Sequence, residues 1–142
     1  MAGSRGQSAG NAEEAPLSSA VTRGVQVDVR VRFVPERSAP PHAWFFAYEV
    51  TICNLGAVPV RLLARHWIIT NGHGRVEEVR GPGVVGEQPL LAPGEVFRYA
   101  SACPLDTPTG TMRGSYAMVL DDGGKFDAEI AEFPLFDPAM VN

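Results

Sequence analysis

Val25-Gln26-Val27-Asp28-Val29-Arg30-Val31-Arg32-Phe33 alternates apolar and polar side chains without a break. Successive side chains of a strand point to opposite faces, so this period of two predicts a strand with one buried face. Pro35 and the pair Pro40-Pro41 end it, because proline donates nothing to a ladder. Trp44 to about Asn54 repeats the pattern, with Phe46, Tyr48, Val50 and Ile52 on one face and Phe45, Glu49 and Thr51 on the other. Val60 to Thr70 is apolar on both faces, as expected in the middle of a sheet, with His66 sharing the side of Val60, Leu62, Ala64 and Ile68. Asn71-Gly72 then reads as a hairpin turn, with Arg75 to Arg80 as the return strand. Glu95 to Cys103, Met112 to Leu120 and Lys125 to Phe136 complete the set, the last two joined by Asp121-Asp122-Gly123-Gly124.

Seven short strands with frequent turn signals, and no window with a helical period, predict an all-β fold. The expected form is an immunoglobulin- or fibronectin type III-like β-sandwich of about seven antiparallel strands, with a small barrel as the structural alternative. The chain of 142 residues holds one such domain, placed at 23–138. Residues 1–22 are small and polar without periodicity and predict a flexible tail, and 139–142 form a short C-terminal tail. The 15 glycines and 12 prolines fit a turn-rich chain.

A net charge of −4 speaks against general nucleic-acid binding, which needs a basic face. Eleven of the twelve basic side chains are arginines, Lys125 being the exception. Neither a spanning apolar run nor a signal peptide is present, so a soluble, cytoplasmic protein with no membrane association is expected. Cys53 and Cys103 are then expected as reduced thiols. Their arrangement around Trp67 imitates the cysteine, tryptophan, cysteine spacing of antibody domains, but Ser101 stands where a tyrosine-corner residue belongs.

Gly81-Pro82-Gly83-Val84-Val85-Gly86 matches G-x-G-x-x-G in letters. A dinucleotide site also needs a helix after the motif, and Pro89, Pro93 and Gly94 preclude one. What remains is an anion nest, with Arg80, Gly81, Gly83 and Gly86 as candidate residues for a nucleotide or pyrophosphate. The bland alternative is a loop whose glycines supply unusual backbone angles. His42, His66, His73, Asp121, Asp122 and Asp127 show no metal-ligand spacing, so neither metal nor cofactor is expected. There is no nucleophile elbow, no patterned Cys–His pair and no carboxylate pair, and enzymatic activity is not expected.

Together, Arg65-His66-Trp67, Ile69-Thr70-Asn71-Gly72, Gly81 to Pro89, Pro93-Gly94-Glu95 and the run from Thr107 to Tyr116 closely resemble the ApaG family over about residues 24–138. The resemblance implies a fibronectin type III-like sandwich and an indirect link to cobalt and magnesium resistance. It also implies adaptor-like relatives and, through neighbouring genes, a nucleotide-polyphosphate connection. The family accepts tyrosine at His66, which disfavours a metal-ligand role there. Two functions follow: a non-enzymatic module that binds a protein partner, or a sensor whose 80–86 loop binds a nucleotide polyphosphate.

Overall fold

In a computed structural model, the described residues 16–140 form two antiparallel sheets packed face to face. The strands are β1 (Ser18–Thr22), β2 (Val25–Phe33), β3 (Trp44–Asn54), β4 (Val60–Asn71), β5 (Val76–Pro82), β6 (Leu90–Leu91), β7 (Val96–Leu105), β8 (Thr109–Leu120) and β9 (Lys125–Phe136). One sheet has the order β1-β2-β3-β7 and the other β5-β4-β8-β9, with β6 paired to β4. Two distinct sheets make this a sandwich and not a barrel.

Among the described residues the strand count is nine where seven were expected, and the first addition corrects the tail. Ser18–Thr22 pairs antiparallel with β2 across the two-residue turn Arg23-Gly24, both residues having positive φ. Such a turn matches the right-handed twist of the flanking strands and closes a tight hairpin. The remaining tail residues 1–15, and 141–142 of the C-terminal tail, lie outside the described residues, whereas Pro138–Met140 is a 3-10 turn. The Asn71-Gly72 turn is longer than expected. Asn71 pairs with Arg75 around Gly72-His73-Gly74, and the Asn71 Oδ1 accepts the amides of His73 and Arg75.

Between Leu62 and Ala64 the register of β4 against β8 shifts by a β-bulge. One extra residue reverses which side chains face inward. Val60 and Leu62 are buried before the bulge, and Trp67 is buried after it. The expectation that His66 shares the face of Val60 and Leu62 is therefore corrected: His66 lies on the outer surface. The core is filled from both sheets, by Val27, Phe46, Val50 and Ile52 on one side and Trp67, Tyr116, Ile130 and Phe133 on the other.

The two lateral sides of the sandwich differ. At one, β1 is tied to β9, the Glu129 amide donating to the Thr22 hydroxyl at 3.0 Å. At the other, the terminal strands β5 and β7 are not paired to each other and leave a cleft between the sheets. Pro82 lies in β5, Pro104 in β7 and Pro134 in β9, all terminal strands of their sheets, where a missing amide donor is tolerated. Cys53 faces outward from β3 and Cys103 inward from β7, so the two free thiols lie on opposite faces of one sheet.

Candidate functional site

Beyond the bulge, alternation along β4 sends Arg65, Trp67 and Ile69 toward the interior near the open side. Arg65 lies across from Gly81 on β5 and Tyr116 on β8. Its Nη1 donates to the carbonyls of Pro82 at 3.0 Å and Gly83 at 2.9 Å. The guanidinium rests on Gly81, where a Cβ would come within 2.8 Å of Nη2. The first glycine of the 81–86 run thus makes room for an arginine.

Around Arg65 sits a cluster of phenols. The hydroxyls of Tyr99 and Tyr116 hydrogen-bond to each other, and Trp67 meets Tyr48, Tyr116 and Phe133 edge-on at centroid distances of 5.3, 6.4 and 6.1 Å. Burial raises all three tyrosines above their ordinary range, with Arg65 pulling weakly the other way. They remain neutral phenols at physiological pH. The cleft before them has a volume of about 260 Å³, with Ile69, Val79 and Met112 as apolar walls. It runs into a hollow of about 370 Å³ that adds Asn71, Arg75 and Asp106, with Ile69, Glu77 and Pro104 common to both.

Burial pushes the Cys103 thiol, in the wall of the cleft, up to about 11, with Glu77 adding to the effect. At pH 8 its thiolate population is then about 100-fold below that of an ordinary thiol. Iodoacetamide labelling read by peptide mass spectrometry is expected to modify Cys103 slowly in folded protein and rapidly in urea. Equal rates in the two states would refute the burial of this side chain.

The structure separates the residues that the sequence grouped as an anion nest. Arg80 is exposed on the outer face, where its Nη2 approaches Glu78 Oε1 at 3.2 Å. His66 Nε2 meets the same oxygen at 2.8 Å, and this hydrogen bond lowers the Glu78 carboxyl below its usual range. Gly81 belongs to β5, and the Gly83 amide donates to Leu63 O. Val84 and Glu87 bond each other reciprocally through their backbones, leaving Val85 and Gly86 as the centre of a tight turn with positive φ. Thus Arg80 does not meet Gly83 and Gly86, and the Gly83 and Val84 amides are already bound within the chain.

A Cβ on Gly83, at φ +60°, would lie 2.2 Å from Glu87 O, a backbone atom that cannot turn aside. Gly83→Ala is expected to lower stability by about 2 kcal/mol. Gly81→Ala meets only the end of the Arg65 side chain, so its expected effect is small and local. Thermal unfolding of both variants checks this order, and the reverse order would contradict it.

Arg65 was not among the sequence candidates. Its signal was an arginine amid apolar residues in a central strand, hidden because the adjacent bulge decides which way it points. Among the described residues, no group of three His, Cys, Asp or Glu side chains is arranged to hold a metal ion. No helix among them is long and apolar enough to cross a membrane.

The family model described as the ApaG domain matches residues 35–120. A protein of Anaeromyxobacter dehalogenans (strain 2CP-C) named Protein ApaG is 54% identical over 126 residues, covering 89% of this chain and all of its own length. The Bordetella pertussis protein of the same name is 57% identical over 117 residues, or 82% of this chain and 89% of its own. A crystal structure of a Bordetella pertussis protein designated ApaA superposes with a TM-score of 0.78 at 53% identity, covering 87% of this chain and 97% of that one.

Proposed function

The chain belongs to the ApaG family, and from that premise we propose that it is a non-catalytic recognition module that holds an extended segment of a partner protein in the cleft between β5 and β7. The observation that carries this reading is the asymmetry of the sandwich, closed where β1 meets β9 and open between β5 and β7 over a partly apolar groove. Grooves that join apolar walls to a few fixed polar groups are the usual form of a binding site. Pro82 and Pro104 each remove a donor from these edges, so side-chain docking in the groove is favoured over a continuous added strand. The family's cobalt and magnesium connection then passes through the partner. For the polyphosphate alternative, the outward turn of Arg80 onto Glu78 supplies no support.

The test is site-specific photocrosslinking in cells. A photoreactive phenylalanine analogue at Ser101, exposed at the mouth of the groove on the same face of β7 as Tyr99 and Cys103, is expected to give discrete protein adducts. The same analogue at Val21, exposed on β1 at the closed side, is expected to give none. Adducts absent at Ser101, or equal at both positions, would remove the basis for this reading.

A further inference from the structure

Resting on that cleft reading, we infer that the docked segment presents one acidic side chain, whose carboxylate seats on Arg65. A guanidinium has five N–H donors in a planar fork. Both donors of Nη1 are taken by Pro82 O and Gly83 O, which fix the orientation of the group. The remaining edge of the fork, Nε with Nη2, carries no hydrogen bond to the described residues, and neither atom is among the buried atoms lacking a partner. Arg65 is one of the residues that line the cleft. That edge is a geometry that receives a carboxylate in bidentate fashion.

No ion pair joins Arg65 to a carboxylate among the described residues, although the side chain is only partly exposed. Charge removed from bulk water without a counterion is costly, so an arriving carboxylate gains more here than at an open surface. The surroundings also select the number of charges. One guanidinium neutralises one carboxylate, and Glu77 in the same cleft opposes a second negative charge. A polyphosphate with several charges is therefore disfavoured. Ile69, Val79 and Met112 favour apolar neighbours beside the acid. The partner chemistry is an extended, mostly apolar segment with a single Asp or Glu.

Panning a phage-displayed random decapeptide library on the immobilised full chain tests this. Selected sequences are expected to share one acidic position flanked by apolar residues. The synthetic winner is expected to bind about tenfold more tightly than its amide counterpart, with Gln for Glu or Asn for Asp. Arg65→Gln is expected to abolish that difference, and Arg80→Ala to preserve it. Far-UV circular dichroism confirms folding, and if Arg65→Gln fails to fold, Gly81→Ala, which displaces the guanidinium, takes its place. Winners without a shared acid that still lose binding to Ser101→Arg, which points an arginine into the cleft, would overturn the acidic preference while leaving the cleft reading intact. No winners, or winners indifferent to Ser101→Arg, would overturn both. Displacement of the peptide by inorganic pyrophosphate but not by acetate at equal ionic strength would overturn the single-carboxylate assignment.

Discussion

Gly114→Ala lowers the free energy of unfolding by about 3 kcal/mol or more, an expectation set by overpacking in a core that cannot relax. Gly114 lies opposite Trp67, where β8 crosses the middle of β4. A Cβ there would stand 2.0 Å from the carbonyl oxygen of His66 and 3.2 Å from the Trp67 Cα. Both are backbone atoms in the central pair of the sheet, so no rotamer change relieves the overlap and the strands themselves must separate. Separation would weaken ladder bonds and disturb the packing of Trp67 together. The check is urea denaturation followed by far-UV circular dichroism, with Ser115→Ala as the adjacent control. A midpoint for Gly114→Ala equal to that of the control would disprove the close approach.

Trp67→Ala is expected to cost about 3–5 kcal/mol, the range for removing a large buried aromatic side chain. Its indole is 3% exposed and touches the rings of Tyr48, Tyr116 and Phe133, which come from both sheets. Removal leaves a void bordered by three rigid rings that cannot collapse into it. His66→Ala, one residue away, is expected to cost under about 1 kcal/mol, because it loses only an exposed hydrogen bond to Glu78. The contrast, measured by equilibrium unfolding, tests the bulge. If the two costs were equal, or His66 the greater, the assignment of inward and outward faces on this half of β4 would be wrong.

The elements most legible in the sequence are those in which alternation runs unbroken. Val25–Phe33, Trp44–Asn54 and Lys125–Phe136 appear in the structure with the bounds that their patterns set. β1 was hidden because five residues carry too short a pattern and because Arg23 gives no sign of the left-handed conformation that closes its hairpin. β6, of two residues, carries no periodicity.

The site was less legible for a related reason. Leu62 and Leu63 are both apolar, so the extra residue of the bulge leaves no polar misfit to reveal it. Continuing the alternation through it placed His66 inside and Arg65 outside, the reverse of the structure. Glycine spacing drew attention to 81–86, yet the letters could not show that Gly81 cushions an arginine from another strand and that Gly83 allows a turn. Both roles depend on pairing partners about twenty residues away or on a local crossing of the backbone.

Among the described residues, three of the four outermost strands carry a proline, at positions 82, 104 and 134. Each interrupts the template along which a second copy of the chain would zip on, so crowding of like molecules does not readily propagate into fibres. The flank left unsealed between the sheets therefore exposes a groove and not an unbroken ladder edge.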